Sequence, residues 1–285
     1  MSLPATFDLM DFINRALAED FGRGGDVTST ATIDPDARFT AEMNARQDLV
    51  VAGLEIAAAF FRRLDVNVRI ELLASDGDAV LAGAALMRLQ GNARAMLGSE
   101  RSALNTLQHL SGIATLTRRY VDTIAGTGAV LIDTRKTIPG LRVLEKYATR
   151  MGGAQNHRMR LDDGVLIKDN HVAVCGGVAE AVHRAKAANT GLQVQVEVDR
   201  LDQIEPALAA GADRLLLDNM PPPVLHEAVA LVAGRVPLEA SGGVTLETIR
   251  AIAETGVDYI SLGRITQSAP AVDIGFDYSV ESLSS

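Results

Sequence analysis

Basic residues are concentrated in one stretch of a chain that is otherwise acidic. Residues 135–168 contain eight lysines and arginines against three acids, a local balance of +5 in a chain of formal net charge −9. Four of these cations follow short apolar runs or lie in a loop flanked by Gly and Asn: Arg135, Lys136, Arg158 and Lys168. Because the carboxyl ends of parallel strands converge on one mouth, this pattern predicts a site for a multiply charged anion.

Carboxylates and glycines follow other apolar runs. Glu197 lies in QVEVD and Asp218 in LLLDN; carboxylate oxygens suit ribose hydroxyls or Mg²⁺, although both groups could simply pair with nearby lysines or arginines. The last two runs end in residues 241–243, Ser-Gly-Gly, and in Gly263. Glycine lets backbone N–H groups approach an anion, so these loops predict a phosphate site.

Lys168 has an alternative interpretation. A lysine that is desolvated at a strand end can lose its proton and form a Schiff base with a carbonyl substrate. The neighbouring cations favour an anionic partner instead. His157, beside Arg158, could donate a hydrogen bond to a carboxylate, whereas the other four histidines lack metal-like pairing with one another.

An alternating pattern of strands and helices positions these residues from about residue 129 onward. Short apolar runs, separated mostly by single helical segments, occur at 129–132, 164–167, 192–198, 214–217, 236–240 and 258–262. This spacing predicts parallel strands. A seventh strand could lie near 153–160, and we expect an incomplete barrel rather than a complete eight-stranded one.

The first part of the chain has a different pattern. Strand-like runs between residues 39 and 91 are interrupted by the helical segment 54–64, which predicts an α+β sandwich. Residues 99–125 predict a helix capped at Ser99, and Gly112 is expected to kink it or end its first part.

Composition excludes several classes of function. Aromatic residues make up only 4% of the chain, Trp is absent and the pI is about 5.1, which argues against nucleic-acid or membrane-surface binding. The single cysteine, Cys175, excludes an internal disulfide and fits a reducing compartment. The longest apolar stretch, 50–61, is too short to span a bilayer, and the first residues do not form a secretion signal. We expect a cytoplasmic protein.

Seven segments together resemble the family of nicotinate-nucleotide pyrophosphorylase, also called quinolinate phosphoribosyltransferase. They are residues 100–115, 133–158, 166–171, 195–199, 215–219, 239–244 and 256–263. The ordered series DTRKT, NHR and IKDNH is specific, and residues 18–29 resemble the N-terminal signature of the family. One departure is Ala154, where the family pattern has a third glycine.

The resemblance implies transfer of the phosphoribosyl group of 5-phosphoribosyl-1-pyrophosphate to quinolinate. The products would be nicotinate mononucleotide, pyrophosphate and CO₂. It also implies an α/β sandwich domain at 1–115, joined by the tail 270–285, and a seven-stranded α/β barrel at 116–269. Family members are homodimers in which the sandwich of one subunit covers the barrel mouth of the other.

The resemblance further implies roles for individual residues. The residues that would bind the quinolinate carboxylates are Arg101, Arg135, His157, Arg158 and Lys168. Arg101 would reach in from the partner subunit. The residues that would bind the phosphoribosyl group and its phosphates are Lys136, Lys168, Glu197, Asp218, Ser241, Gly242, Gly243 and Gly263. Among these, Lys136, Lys168, Glu197 and Asp218 would be catalytic, and Glu197 and Asp218 would also hold Mg²⁺ directly or through water.

Two further alternatives remain open. A related phosphoribosyltransferase with a different acceptor should keep the phosphate loops and lose part of the dicarboxylate set, which is complete here. A non-catalytic paralogue would bind ligands without turnover, and the presence of Glu197 and Asp218 weighs against it.

Overall fold

A computed structural model, which describes residues 7–278, divides the chain into two compact units. Of the described residues, the first unit comprises 7–116, 143–153 and 268–278, and the second comprises 117–142 and 154–267. The sequence predicts a barrel domain over 116–269, which would include 143–153, whereas these residues group with the first unit. The part of the tail at 279–285 lies outside the described residues.

The helices and strands alternate as follows. The helices are α1 (Leu9–Phe21), α2 (Val27–Thr32), α3 (Leu54–Leu64), α4 (Ala93–Thr123), α5 (Arg142–Met151), α6 (Asp169–Cys175), α7 (Val178–Ala187), α8 (Ile204–Ala209), α9 (Pro222–Val232), α10 (Ile249–Ala253) and α11 (Arg264–Gln267). The strands are β1 (Arg38–Ala45), β2 (Leu49–Val50), β3 (Arg69–Leu72), β4 (Ala79–Val80), β5 (Ala85–Asn92), β6 (Val130–Ile132), β7 (Val165–Ile167), β8 (Val194–Val198), β9 (Arg214–Asp218), β10 (Leu238–Ser241), β11 (Tyr259–Ser261) and β12 (Ile274–Tyr278). Of residues 7–278, no helix is both long enough and apolar enough to cross a bilayer.

The first unit contains an antiparallel sheet with strand order β12-β1-β5-β3 and a small β2-β4 pair. Helix α3 packs on this sheet through Phe61, whose ring stacks on Phe276 of β12 with centroids 5.7 Å apart. Phe60 and Phe61 are both buried, and the strands alternate buried and more exposed residues as a half-covered sheet requires. The α+β prediction for this region is confirmed.

Helix α4 corrects the expectations for Ser99 and Gly112. The helix starts at Ala93, and the Ser99 hydroxyl donates to the Ala95 carbonyl within it at 2.7 Å, so Ser99 does not cap the helix. The helix also continues past Gly112. A Cβ at that position would lie 2.2 Å from the Pro270 carbonyl oxygen, so glycine is needed there for close approach of the chain rather than for a kink.

Helix α5 explains why 143–153 group with the first unit. Glu145 and Lys146 are completely buried, and the Tyr147 hydroxyl donates to the Asp76 carboxylate. Burial, followed by that hydrogen bond, raises the pKa of Tyr147. Asp76 also accepts from the backbone N–H groups of Gly53 and Leu54 at the start of α3. One carboxylate therefore connects the start of α3 with α5.

The second unit contains a parallel sheet with strand order β6-β11-β10-β9-β8-β7. Consecutive strands from β7 to β11 are neighbours, and the first strand, β6, pairs with the last, β11. The polar side chains that follow these strands therefore leave the sheet along one edge. The predicted parallel α/β sheet with its six plain strands is confirmed.

The predicted seventh strand is reduced to a single bridge. Within 153–160, Gln155 forms an isolated parallel bridge with Ile132 of β6, and its N–H donates to the Leu131 carbonyl at 2.9 Å. The segment is short because Gly153 before it has a φ of 101° and the residues after it are polar. Ala154 is buried and does not need a positive φ, so the missing third glycine causes no backbone strain.

Candidate active site

The carboxyl ends of the strands in the second unit surround a cavity of about 750 Å³. Pairing aligns Ser241 with Asp218 on one side and with Ser261 on the other, so these ends are level. The cavity is lined by eleven of the residues selected from sequence: Arg135, Lys136, His157, Arg158, Lys168, Glu197, Asp218, Ser241, Gly242, Gly243 and Gly263. Arg101, on α4 in the first unit, is not among its lining residues, and its side chain is 60% exposed.

Asp133, at the end of β6, holds two cavity residues in place. Its side chain is fully buried, and its carboxylate accepts from Asn156 Nδ2 at 2.6 Å and from the His157 N–H at 2.8 Å. These bonds attach the bridge segment to the end of β6. Asp133 thereby positions His157 and Arg158.

The first set of cavity residues is the cationic group, which we define as Arg135, Lys136, Arg158 and Lys168. Arg158 Nη1 donates to the Gly164 carbonyl at 2.8 Å. Burial, and then the charge of Arg135, lowers the pKa of Arg158. Arg135 Nε is buried without a hydrogen-bond partner within the described part of the chain. A bound anion would both satisfy this donor and relieve the repulsion between the guanidinium groups.

Lys136 depends on a glycine for its position. A Cβ at Gly263 would lie 2.6 Å from Lys136 Cδ, so the lysine stem occupies space that any larger residue would fill. The Lys136 carbonyl also accepts from the Thr266 hydroxyl at 2.7 Å. Gly263 therefore has a packing reason to be glycine, independent of the phosphate contact expected from sequence.

Two carboxylates lie near the cationic group. Lys168 Nζ is 3.0 Å from Glu197 Oε2, and Asp218 Oδ2 accepts from Asn219 Nδ2 at 2.6 Å. Among residues 7–278, no cluster of three or more His, Cys, Asp or Glu is placed to hold a metal ion. Carboxylate oxygens such as those of Glu197 and Asp218 are of the type that hard ions such as Mg²⁺ bind.

The second set of cavity residues is the glycine group, which we define as Ser241, Gly242 and Gly243 after β10. Gly242 has a φ of 93° and Gly243 a φ of 61°. A Cβ at Gly242 would lie 2.1 Å from Asn219 Oδ1, whereas a Cβ at Gly243 would meet no atom within 4 Å. Only glycine adopts the first position without strain and overlap, and consecutive N–H groups in such turns form anion-binding concavities.

Sequence analysis missed a buried carboxylate beneath the cavity. Glu239 is 1% exposed, and its Oε2 accepts from Gln195 Nε2 at 2.7 Å. The same oxygen lies 2.8 Å from Arg214 Nη2 and 3.5 Å from His157 Nε2. The Arg214 guanidinium in turn lies 3.9 Å above the Tyr259 ring. A charged residue inside the apolar run VPLEA was the available sequence signal.

Glu239 remains ionised because its partners outweigh its burial. Burial alone would raise the pKa of this carboxyl, but the hydrogen bond and charge of His157, together with the charge of Arg214, hold the pKa below its usual value. The network therefore provides a fixed negative charge below His157.

The charge of the cavity is more balanced than the sequence suggested. Its lining has five Lys or Arg residues, Arg135, Lys136, Arg158, Lys168 and Arg264, against four acids, Asp169, Glu197, Asp218 and Glu239, a balance of +1. Four other cations of the basic stretch do not line it. Lys146 and Arg150 belong to the first unit, Arg142 donates to the Met159 carbonyl, and Arg160 pairs with Asp162. The positive charge of the lining therefore comes from the cationic group and Arg264.

Both parts of the chain match one known family. The family model described as "Quinolinate phosphoribosyl transferase, N-terminal domain" matches residues 26–111. The model described as "Quinolinate phosphoribosyl transferase, C-terminal domain" matches residues 113–277. The second match includes every strand that borders the cavity.

Curated relatives and solved structures agree with the family models. The "Probable nicotinate-nucleotide pyrophosphorylase [carboxylating]" of Bacillus subtilis is 43% identical over 277 residues, which cover 97% of this chain and 95% of that protein. The enzyme of the same name from Mycobacterium leprae is 43% identical over 272 residues, covering 94% and 96%. The solved nicotinate-nucleotide pyrophosphorylase of Francisella tularensis superposes with a TM-score of 0.91 at 41% identity, over 95% of this chain and 96% of that one. The chain therefore belongs to the quinolinate phosphoribosyltransferase family.

Proposed function

We propose that this chain transfers the phosphoribosyl group of 5-phosphoribosyl-1-pyrophosphate to quinolinate, releasing pyrophosphate and CO₂ and giving nicotinate mononucleotide, a step of NAD biosynthesis. The observation that carries the proposal is the convergence of the eleven residues on one cavity. The family and the names of its members support the same reaction. We also propose a cytoplasmic location, because the single cysteine fits a reducing compartment.

The cationic group is suited to quinolinate. Planar guanidinium groups match carboxylates with two parallel hydrogen bonds, so Arg135 and Arg158 would each orient one part of the dicarboxylate. His157 lies on the same segment as Arg158, and Lys168, directly after β7, lines the same cavity. We assign these residues to the quinolinate ring and its carboxylates, and Arg101 of a second copy to the same ligand.

The glycine group and the carboxylates are suited to the phosphoribosyl half. Backbone N–H groups of Gly242 and Gly243 would hold the 5-phosphate, with Ser241 and Gly263 beside it. Glu197 and Asp218 would accept from the ribose hydroxyls, and Lys136 would face the pyrophosphate. Mg²⁺, held by substrate oxygens, water and these two carboxylates, would stabilise the negative charge of the leaving pyrophosphate.

The chemistry needs positioned charge more than proton transfer. The pyridine nitrogen attacks the ribose C1 carbon while the bond from C1 to the pyrophosphate oxygen breaks, and pyrophosphate leaves with the electron pair. In the resulting pyridinium ring, the bond to the 2-carboxylate then breaks, CO₂ leaves, and the ring carbon takes a proton from water. Because the ring itself stabilises the electron pair, we propose that no side chain acts as a dedicated general base. The protein aligns the two substrates and balances their roughly seven negative charges.

The direct test is turnover with both substrates and Mg²⁺. We expect nicotinate mononucleotide and CO₂ in equal amounts, measured by chromatography and by release of label from quinolinate labelled in its 2-carboxylate. Omission of phosphoribosyl pyrophosphate is the control. Nicotinate in place of quinolinate tests a different acceptor, and turnover with nicotinate alone would contradict the proposal.

A second test addresses sharing of the site between subunits. We propose a homodimer in which Arg101 of one subunit serves the cavity of the other. Arg101→Ala and Lys168→Ala proteins, each inactive alone, should regain about a quarter of wild-type activity when they are mixed and exchanged, because half of the molecules are then mixed dimers with one intact site of two. Absence of recovery, with subunit exchange verified by mass spectrometry, would contradict a shared site.

A further inference from the structure

Asn219, directly after the carboxylate of Asp218, has an unusual backbone conformation. Its φ is 54°, and only Asn189 and Ala233 share a positive φ among the described residues other than glycine. This left-handed region costs free energy for residues with a Cβ, and Asn tolerates it better than most because its short side chain can hydrogen-bond locally. The strained conformation occurs at the edge of the cavity, which Asn219 lines.

Three contacts connect Asn219 with both halves of the phosphoribosyl site. Its side-chain amide donates to Asp218 Oδ2 at 2.6 Å. Its backbone N–H donates to the Ser241 carbonyl at 2.8 Å, which ties the end of β9 to the end of β10. Its side-chain oxygen occupies the space that a Cβ at Gly242 would need, at 2.1 Å from that position.

These contacts have different consequences. The amide hydrogen bond restricts rotation of the Asp218 carboxylate, which is otherwise a side chain at a cavity edge. The contact with Gly242 supports the turn whose N–H groups would hold the proposed 5-phosphate. The left-handed φ is what turns the Asn219 side chain back over both neighbours.

We propose that Asn219 is a positioning residue. It fixes the Asp218 carboxylate and the glycine group relative to each other, so that both can bind one ligand, a ribose 5-phosphate unit. The proposal rests on the proposed function, which supplies the identity of that ligand. Asn219 acts through Asp218 and Gly242, and it needs no contact of its own with the reacting atoms. The quinolinate half of the cavity does not depend on it.

The test compares Asn219→Gly with Asn219→Asp, using Asn189→Gly as the matched control. Glycine adopts a φ of 54° freely, so Asn219→Gly removes the side-chain contacts without adding backbone strain. Asp has nearly the same shape as Asn but lacks the donor and places a second negative charge beside Asp218. Asn189 has a φ of 47°, is exposed and does not line the cavity.

Affinities are measured by calorimetry, separately for phosphoribosyl pyrophosphate with Mg²⁺ and for quinolinate, and Tm is measured for each protein. For Asn219→Gly we expect about tenfold weaker binding of phosphoribosyl pyrophosphate, equivalent to about 1.4 kcal/mol. Quinolinate affinity should stay within about twofold and Tm within about 2 °C, since no packed core is lost. Asn219→Asp should weaken phosphoribosyl pyrophosphate binding further, and Asn189→Gly should change none of the three quantities.

Wild-type affinity for phosphoribosyl pyrophosphate in Asn219→Gly would overturn the inference. A parallel loss of both affinities together with a lower Tm would also overturn it, because that result means a general structural role. If the wild-type protein binds phosphoribosyl pyrophosphate but does not convert quinolinate, the proposed function fails, while the affinities of the variants still decide the role of Asn219.

Discussion

The cationic group and the glycine group border the same cavity but recognise negative charge in different ways. The cationic group uses long side chains whose charges are crowded, so that burial and Arg135 together lower the pKa of Arg158. The glycine group uses backbone N–H groups held by positive φ angles at Gly242 and Gly243. Removing a side chain should therefore disable the first group, whereas adding one should disable the second.

The largest effect is expected for Arg135→Ala. Loss of a guanidinium with a buried donor should weaken quinolinate binding roughly 100-fold, because charge-assisted paired hydrogen bonds are the strong ones. The Tm should change little, because the role of Arg135 follows from its charge and not from packing in the core. Calorimetry with quinolinate measures the effect.

Arg160→Ala is the matched control for this variant. Arg160 belongs to the same basic stretch, but its side chain is 60% exposed and pairs with Asp162. Quinolinate affinity should stay at the wild-type value. Equal losses for Arg135→Ala and Arg160→Ala would mean that general charge, not the cationic group, attracts the ligand.

A smaller loss is expected for Gly242→Ala. Here the added methyl group meets Asn219 at 2.1 Å and the φ of 93° becomes strained, so affinity for phosphoribosyl pyrophosphate should fall roughly 30-fold. Gly243→Ala has a free space at its Cβ and a φ of 61°, and it should lose less. Quinolinate affinity should change in neither variant. A reversed order of the two losses would contradict the proposed contact with Asn219.

The third effect concerns the fixed charge below the cationic group. Glu239→Gln removes the charged acceptor of the partly buried Arg214, and we expect a loss of about 1.5 kcal/mol in the free energy of unfolding at pH 7. The folded-state pKa of Glu239 is depressed, so its stabilising charge is present at neutral pH and is lost as pH falls through that pKa. The gap between wild type and variant should therefore shrink below about pH 4.

Urea unfolding at pH 7 and at about pH 3 measures this gap. Glu180→Gln is the control, because Glu180 is half exposed and pairs with Arg184 on the helix surface. That variant should stay close to wild type at both pH values. A gap for Glu239→Gln that widens in acid would show that the carboxyl is protonated in the folded protein.

The smallest effect is expected at the opposite end of the sheet. Lys186 pairs with Asp213, which precedes β9 and also accepts from the Val194 N–H. Lys186→Ala should lower the free energy of unfolding by about 0.5 kcal/mol, because both partners are partly exposed. Affinity for either substrate should not change. A loss of affinity would mean that charge at this end of the sheet also influences the cavity.

The sequence revealed the features that local patterns encode. Alternating apolar runs predicted the six parallel strands, and the polar residue types after them predicted which side chains meet at the cavity. Lys168 and Asp218 could be predicted because each directly follows an apolar run, and Arg135 because it lies three residues after one. Glycine at 242 and 243 was also visible, since paired glycines mark a turn and here they follow an apolar run.

Features that depend on distant partners were not visible. Gly112 is read from sequence as a helix breaker, and only the position of Pro270 shows that it allows a close contact. Glu239 lies in an apolar run, and its meaning depends on Gln195 and Arg214 from two other strands. The role of Asn219 depends on a dihedral angle and on the neighbouring strand. Local propensity contains no information about these partners.

The grouping of α5 with the first unit limits how this protein can be divided. The chain changes unit after residues 116, 142, 153 and 267, so cutting it once cannot yield two complete bodies. A gene fragment that ends near residue 112, where one family match gives way to the next, would encode Asp76 without Tyr147, its hydrogen-bond donor on α5. The complementary fragment would carry the completely buried Glu145 without His109, whose Nε2 lies 3.0 Å from its carboxylate. Each half would be an incomplete protein, and only co-expression or the intact polypeptide supplies both with their missing pieces.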